Sequence, residues 1–164
     1  MTEPSASTLL AALEKLPATA AVTYHGLPAG AEAPTGTFVT QGFTATSRDP
    51  RVGTENFTAA ELVAIAGRTG RDIAFMSQHS AEAEVVLLPG TILRPLRTLR
   101  TADGLAVHVL EELLTGDESG RPHPSLPRSA DALADLVTGT VAAAQDQALP
   151  VQVSSPGKFC AALA

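Results

Sequence analysis

The chain has 164 residues, of which 17 are acidic and 11 are basic, and its formal net charge is −6. This length is typical of a single domain, and the acidic balance argues against nucleic-acid binding through a broad cationic surface. No apolar run approaches the roughly 20 residues that span a bilayer, and a single cysteine excludes an intramolecular disulfide. We therefore expect one soluble domain over residues 1–164.

The first elements are expected to be one helix and several short strands. Leucine spacing in residues 7–16 predicts an amphipathic helix, and either Ser5 or Ser7 could cap its start. A strand is expected over residues 20–25. Two more strands, separated by a break at a glycine, are expected within residues 37–47.

Residues 58–72 give conflicting signals. The sequence Thr-Ala-Ala-Glu at its start matches a helical capping box. However, Gly67 follows after too few residues for a typical helix, so we favour a strand over 61–66. Arginine, glycine and aspartate then predict a turn over 68–72.

The second half of the chain is expected to contain strands and a final helix. Residues 84–96 predict two extended segments around a Pro-Gly turn, and 105–114 predict a strand whose end could equally be helical. A loop rich in glycine, proline and charge is expected over 115–128. Residues 129–148 predict a helix capped by Ser129. Its apolar face is expected to contain Leu133, Leu136, Val137 and Val141.

Three separated segments combine polar side chains with extended sequence: TYHGL at 23–27, GFTATS at 42–47 and AEAEVVLLPGT at 81–91. In the third, Glu82 and Glu84 are two residues apart at the start of a predicted strand, so we expect them to point the same way. Two carboxylates at this spacing can act on one ligand. The alternative is that they are solvated charges at a strand end.

In order and spacing, these segments resemble the three motifs of the mono-ADP-ribosyltransferases, in the Arg-Ser-Glu branch. The corresponding family motifs are Y-R-G, F-x-S-T-S, and E-x-E followed by an apolar strand and P-G-T. The resemblance covers about residues 20–115 and leaves 116–164 as a C-terminal extension. It implies an α+β fold, a split β-sandwich around an NAD cleft, with an N-terminal and a C-terminal helix. NAD is the implied substrate, and no metal is expected.

The resemblance also implies a role for each carboxylate. Breaking the nicotinamide–ribose bond passes through an oxocarbenium-like transition state, which a nearby carboxylate stabilises. Glu84 matches the family's catalytic glutamate. Glu82 matches the residue that orients or deprotonates the acceptor, and a glutamate there is associated with arginine as acceptor. Ser77 and Gln78 match a loop that contacts the acceptor.

The first two motifs depart from the family pattern. His25 replaces the arginine, and imidazole lacks the planar fork that binds a phosphate. The poly-ADP-ribose polymerase branch uses a histidine there, on the adenosine ribose; the alternative is a strand-end histidine without a ligand. Arg48 or Arg51 could supply charge for the diphosphate. Ala45 stands at the functional serine's position, so Ser47, on the same face, is the better substitute. The implied NAD-binding set is His25, Gly26, Thr46, Ser47 and Arg48.

The implied function is transfer of ADP-ribose from NAD to a protein acceptor, with arginine as one candidate and NAD hydrolysis as a side reaction. This is a glycosyltransferase-class activity. The alternative is a catalytically lapsed fold that acts as an NAD-binding or protein-interaction module. A toxin or effector role is a third possibility. Because residues 1–16 lack the basic start of a signal peptide, we expect a cytoplasmic protein or export by another route. No membrane or nucleic-acid partner is expected.

Overall fold

The computed structural model describes residues 2–116, 122–147 and 149–163. Residues 117–121 of the predicted loop and residue 148 of the predicted last helix lie outside this description. The elements are α1 (Ala6–Glu14), β1 (Thr19–Leu27), β2 (Phe38–Val39), β3 (Thr44–Ser47), α2 (Pro50–Gly53), β4 (Glu61–Asp72), β5 (Glu84–Leu87), β6 (Ile92–Arg100), β7 (Ala106–Leu113) and α3 (Ala130–Gln145). Two 3-10 turns, Ala74–Met76 and Ser80–Glu82, lie between β4 and β5.

The strands form one sheet that divides at β1 and β4. Neighbouring strands run in the order β2–β6–β7–β4–β1, and only the β4–β7 pair among them is parallel. Strands β3 and β5 pair with each other, and they also pair with β1 and β4 respectively. This second connection draws the ends of β1, β3 and β5 together.

Two apolar clusters lie against the sheet. In one, Leu133, Val137 and Val141 of α3 pack with Tyr24 and strand residues of β4 and β7. The other cluster contains Leu27, Val63, Ile65, Leu87, Leu93 and Leu110. The predicted inward position of Leu136 is wrong, since this side chain is 45 % exposed. A residue at the margin of a helical apolar face reaches solvent where no neighbouring element covers it.

The helix starts follow the sequence prediction. Ser5 caps α1 by accepting a hydrogen bond from the Thr8 amide at 3.3 Å, and Ser129 caps α3 through the Ala132 amide at 3.0 Å. The helical alternative for the end of 105–114 is wrong, because β7 continues as a strand to Leu113. Among the residues described, none of the helices combines the length and hydropathy needed to cross a membrane.

The strand predicted over 61–66 is present, but the turn predicted over 68–72 is wrong. β4 continues to Asp72, and its pairing with β1 is irregular between Gly67 and Gly70. The glycine there serves close packing rather than a turn, because a Cβ at Gly70 would lie 2.7 Å from a Val85 methyl group. A bulge and a turn share glycine and charged residues, which is why the sequence pattern is ambiguous.

Candidate active site

The three motif segments meet where β1, β3 and β5 lie side by side. Tyr24 of β1 is opposite Ser47 of β3, and Ser47 is opposite Glu84 of β5. His25 follows Tyr24, and its Nδ1 lies 2.8 Å from the carbonyl oxygen of Ala45. Strand pairing therefore gathers most of the predicted site residues in one region: His25, Gly26, Thr46, Ser47, Glu82 and Glu84.

Glu82 and Glu84 are both buried, with only 3 % and 4 % of their surface exposed, so the solvated alternative is wrong. The expectation that both lie along one strand is also wrong, since Glu82 ends a 3-10 turn and Glu84 begins β5. Ala83 between them adopts a left-handed backbone with φ of 47°. The Lys158 Nζ lies 2.6 Å from Glu84 Oε2 and 3.8 Å from Glu82 Oε2. The two carboxylates thus still face one group.

Hydroxyl groups of the second motif hold the Glu-x-Glu segment by its main chain. Ser47 Oγ donates to the Glu82 carbonyl oxygen at 2.5 Å, and Thr46 Oγ1 donates to the Val85 carbonyl oxygen at 2.5 Å. Both side chains are fully buried. The left-handed backbone at Ala83 costs roughly 1–2 kcal/mol, so it needs such support. Ser47 therefore positions Glu82.

Burial and hydrogen bonding act in opposite directions on Glu82. Burial favours the neutral acid, but hydrogen bonding from Ser154 and the nearby positive charges of Lys158 and His79 outweigh it, so the pKa of Glu82 is lowered from 4.5. The Ser154 amide donates to Glu82 Oε1 at 2.6 Å. Within the described part of the chain, Glu82 Oε2 has no hydrogen-bond partner. This oxygen can accept a hydrogen bond from a ligand.

His25 is buried between two main-chain acceptors. Its surface is 2 % exposed, and its Nε2 lies 2.7 Å from the carbonyl oxygen of Ala161 while Nδ1 faces Ala45. A neutral imidazole donates only one of these hydrogen bonds, whereas the doubly protonated ring donates both. The Nε2 atom donates towards Ala161 in the doubly protonated ring and in the neutral tautomer that carries its proton on Nε2.

Gly26 presents both of its backbone polar groups to the cleft. Its amide donates to the Phe159 carbonyl oxygen at 2.8 Å, and its carbonyl oxygen accepts from the Ala161 amide at 3.1 Å. A Cβ at this position would lie 2.5 Å from the carbonyl oxygen of Gly53 in α2. Only glycine therefore allows α2 to approach β1 so closely.

Residues 151–163, which we call the cleft segment, carry no site prediction from the sequence. This segment supplies Ser154, Lys158, Phe159 and Ala161 to the contacts described above. It has no periodic pattern, so hydropathy carries no signal for it. The one available signal was composition, because Lys158 is one of two lysines in the chain.

The two arginines proposed for the diphosphate already have acidic partners. Arg48 lies 3.2 Å from Asp72, and Arg51 lies 2.9 Å from Asp49. Hydrogen bonds to Asp49 raise the pKa of Arg51. Both arginines line a cleft of about 370 Å³ that Ala83 and α3 also line. The lining includes Ala81 and Ala83 but neither Glu82 nor Glu84, so this cavity is distinct from the one that Glu82 lines. The Arg48 amide donates a hydrogen bond to the Ala83 carbonyl oxygen at 3.1 Å, which places the arginine next to the Glu-x-Glu segment.

The predicted acceptor loop lies between the two 3-10 turns. Ser77 is half-buried and accepts a hydrogen bond from the His79 amide at 2.9 Å, while Gln78 is exposed. Residues 78–82 line a cavity of about 560 Å³ together with residues 152–154 of the cleft segment. Phe75 and Met76, which the sequence reasoning did not single out, are 73 % and 57 % exposed.

The architecture is that of the ADP-ribosyltransferases. The ADP-ribosyltransferase Vis, a toxin from Vibrio splendidus, superposes with a TM-score of 0.55 at 25 % identity, over 66 % of this chain and 55 % of that one. Exoenzyme S from Pseudomonas aeruginosa, bound to carba-NAD and human 14-3-3 protein beta, gives a TM-score of 0.55 at 23 % identity, over 87 % of this chain and 66 % of that one. The predicted α+β split β-sandwich fold is confirmed.

Two curated proteins are similar in sequence. Exoenzyme T from Pseudomonas aeruginosa is 35 % identical over 99 residues, which is 60 % of this chain and 21 % of that protein. The ADP-ribosyltransferase toxin AexT from Aeromonas salmonicida is 33 % identical over 78 residues, or 48 % of this chain and 16 % of that protein. The matches thus span about a fifth of these relatives or less. No family model matches the chain.

Proposed function

We propose that the chain is an NAD-dependent mono-ADP-ribosyltransferase of the Arg-Ser-Glu branch that modifies a protein acceptor. The observation that carries this proposal is the burial of Glu82 and Glu84 together, next to His25 and Gly26. Glutamates are rarely buried, so two buried glutamates that face one ammonium group support a functional role. A carboxylate in such a position can stabilise the positive charge that develops when a glycosidic bond is cleaved.

NAD would bind through groups that already pair with peptide amides. The Gly26 N–H donates one hydrogen bond and its carbonyl oxygen accepts another, both to main-chain groups of the cleft segment. The carboxamide of nicotinamide has a matching acceptor and donor. The His25 ring is next to this position and can donate to a ribose hydroxyl. Arg48 and Arg51 are the proposed contacts of the diphosphate.

The proposed reaction begins with cleavage of the bond between the ribose C1′ and the nicotinamide nitrogen. The bonding electrons leave with nicotinamide, which neutralises its pyridinium charge, and C1′ becomes oxocarbenium-like. The Glu84 carboxylate stabilises that positive charge, more strongly in a buried setting than in water. The acceptor nitrogen then forms the new bond to C1′, and its proton passes to Glu82. When water is the nucleophile, the product is free ADP-ribose.

Arginine is the proposed acceptor group. Glu82 Oε2 lacks a hydrogen-bond partner within the described residues, and a guanidinium group is a strong donor to a carboxylate. The similar protein Vis is known in complex with agmatine, which carries a guanidinium group. Because the similar AexT is a toxin, we extend the proposal to a toxin or effector role.

The proposal is tested by nicotinamide release and by transfer of labelled ADP-ribose to agmatine at saturating NAD. Glu84→Gln keeps the shape and the contact with Lys158 but removes the charge, so we expect at least about a hundredfold loss of rate. The matched control is Glu112→Gln, which changes a second buried carboxylate away from this cleft. Its rate per folded molecule should stay within about twofold.

Equal rates for Glu84→Gln and the unaltered chain would contradict the catalytic assignment. NAD binding without turnover in the unaltered chain would favour the alternative, a lapsed fold that binds NAD. The observation behind that alternative is Ala45, which stands where the family motif that the sequence resembles has a serine.

A further inference from the structure

The cleft segment occupies the polar groups that the proposed NAD site would use. Gly26 exchanges two hydrogen bonds with it, one to Phe159 and one from Ala161, and the Ala161 carbonyl oxygen also lies 2.7 Å from His25 Nε2. The main chain on the two sides of Cys160 thus occupies the place where the nicotinamide carboxamide is proposed to bind. The Gly26 amide has a single proton, so it cannot donate a full hydrogen bond to the segment and to NAD at once.

The cleft segment also neutralises the catalytic carboxylates. Lys158 Nζ is 2.6 Å from Glu84 Oε2, and the Ser154 amide is 2.6 Å from Glu82 Oε1. The ammonium therefore lies where positive charge would develop on the ribose of NAD during the reaction. One cation beside two buried carboxylates is an electrostatic substitute for that substrate.

The anchors of the cleft segment lie on a strained stretch of backbone. Asn56 exchanges two hydrogen bonds of 2.8 Å with the main chain of Val151, and Glu55 accepts one from the Gly157 amide. Glu55, Asn56 and Phe57 all have positive φ, between 50° and 60°. Consecutive residues in this conformation are held in place by their surroundings and are found at ligand clamps and switch regions.

We infer that the cleft segment is an autoinhibitory pseudo-ligand, which must leave the cleft before NAD can bind. The inference rests on the proposed function, because it concerns the same cleft. Among the described residues, the segment is joined to the sheet by a single bridge, between Gly26 and Cys160, and not by a strand ladder. Its side-chain anchors in the core are Phe159, which is fully buried, and Leu163, which is partly buried against the second apolar cluster. Segments with few backbone links open at lower free energy than core strands.

Charge makes the exchange with NAD favourable. Departure of Lys158 leaves Glu82 and Glu84 without their shared cation, and like charges in a buried site repel. The nicotinamide ring of NAD is itself cationic, so it restores the balance that Lys158 provided. A neutral ligand of the same shape would not restore this charge balance. The apparent affinity for NAD is lowered by the small fraction of molecules whose segment is released.

The test measures NAD binding to the intact chain by calorimetry, in Lys158→Gln and in a matched control, Lys15→Gln. Lys15 is the other lysine, exposed at the end of α1. Both changes remove one positive charge, which by itself disfavours an anionic dinucleotide. We nevertheless expect the dissociation constant to fall at least about tenfold in Lys158→Gln, because a charge-assisted bond that holds the segment is lost. Lys15→Gln should match the unaltered chain.

Two further measurements keep the test decisive if Lys158→Gln does not fold. Asn56→Asp tolerates positive φ but loses the donor to Val151, so it should tighten NAD binding severalfold. A synthetic peptide of residues 151–163, added to Lys158→Gln, should weaken NAD binding again, and the same peptide with glutamine at the lysine position should do so less.

The outcomes separate the two proposals. Tighter binding in the variants supports autoinhibition. If all proteins bind NAD equally, or Lys158→Gln binds it more weakly, the inference is overturned and the NAD site stands. If neither the unaltered chain nor any variant binds NAD, the proposed function fails and the inference fails with it.

Discussion

The described residues contain two sets of buried carboxylates, and the hydrogen-bond partners of the two sets come from different parts of the chain. Glu112, on β7, is 5 % exposed and accepts hydrogen bonds from the Arg68 and Thr69 amides at 2.5 and 2.9 Å, and from the Thr69 hydroxyl group. Glu82 and Glu84 are equally buried but depend on the cleft segment. The hydrogen-bond donors to Glu112 belong to the sheet itself. Those to Glu82 and Glu84 belong to the cleft segment, which is joined to the sheet by one bridge among the described residues.

This difference shows that burial of a carboxylate does not by itself distinguish a ligand-binding role from a structural one. Glu112 fills the irregularity of β4 that leaves two amides free of the ladder, so its role is to complete the fold. Glu82 and Glu84 have partners that can be removed without opening a strand. A buried acid whose partner is detachable is suited to bind a ligand, whereas one with fixed partners is suited to stabilise the sheet.

The largest expected contrast is in stability. Glu112→Gln weakens several charge-assisted hydrogen bonds, so we expect the free energy of unfolding to fall by about 1–3 kcal/mol. For a chain of this size that corresponds to a loss of roughly 2–12 °C in Tm. Glu84→Gln weakens one ion pair, with Lys158, on a segment that is not part of the sheet ladder, so its loss of Tm should be smaller than that of Glu112→Gln. Thermal unfolding followed by circular dichroism checks both, and a larger loss in Glu84→Gln would reverse the comparison.

A smaller effect is expected in the pH dependence of stability. The pKa of Glu82 is lowered from 4.5 in the folded chain, so its contribution is fully present above pH 4.5 and is lost as the pH falls through the folded value. The Tm difference between the unaltered chain and Glu82→Gln should therefore shrink below pH 4.5. A difference that grows on acidification would contradict the assigned direction.

Much of the fold and the carboxylate pair could be predicted because their signals are local. Capping serines, strand-forming runs and the Glu-x-Glu motif each lie within a few consecutive residues. The partner of Glu84 could not be predicted in this way, since Lys158 is 74 residues away and lies in a segment without periodicity. The sequence of the β4 bulge predicts a turn because glycine is common in both. The exposed position of Leu136 depends on which part of α3 the rest of the chain covers, and periodicity does not encode that.

The central claim is that NAD displaces the cleft segment from Glu82 and Glu84, and Cys160 reports this directly. It is the sole cysteine of the chain and forms the bridge with Gly26. Burial, together with the smaller effect of the negative charge of Glu55, raises the pKa of its thiol. Release of the segment should expose the thiol and lower its pKa towards the ordinary value, so alkylation by iodoacetamide should accelerate. The account predicts a rate that rises with NAD concentration and saturates at the calorimetric affinity. A rate that falls or stays constant while NAD binds would contradict it.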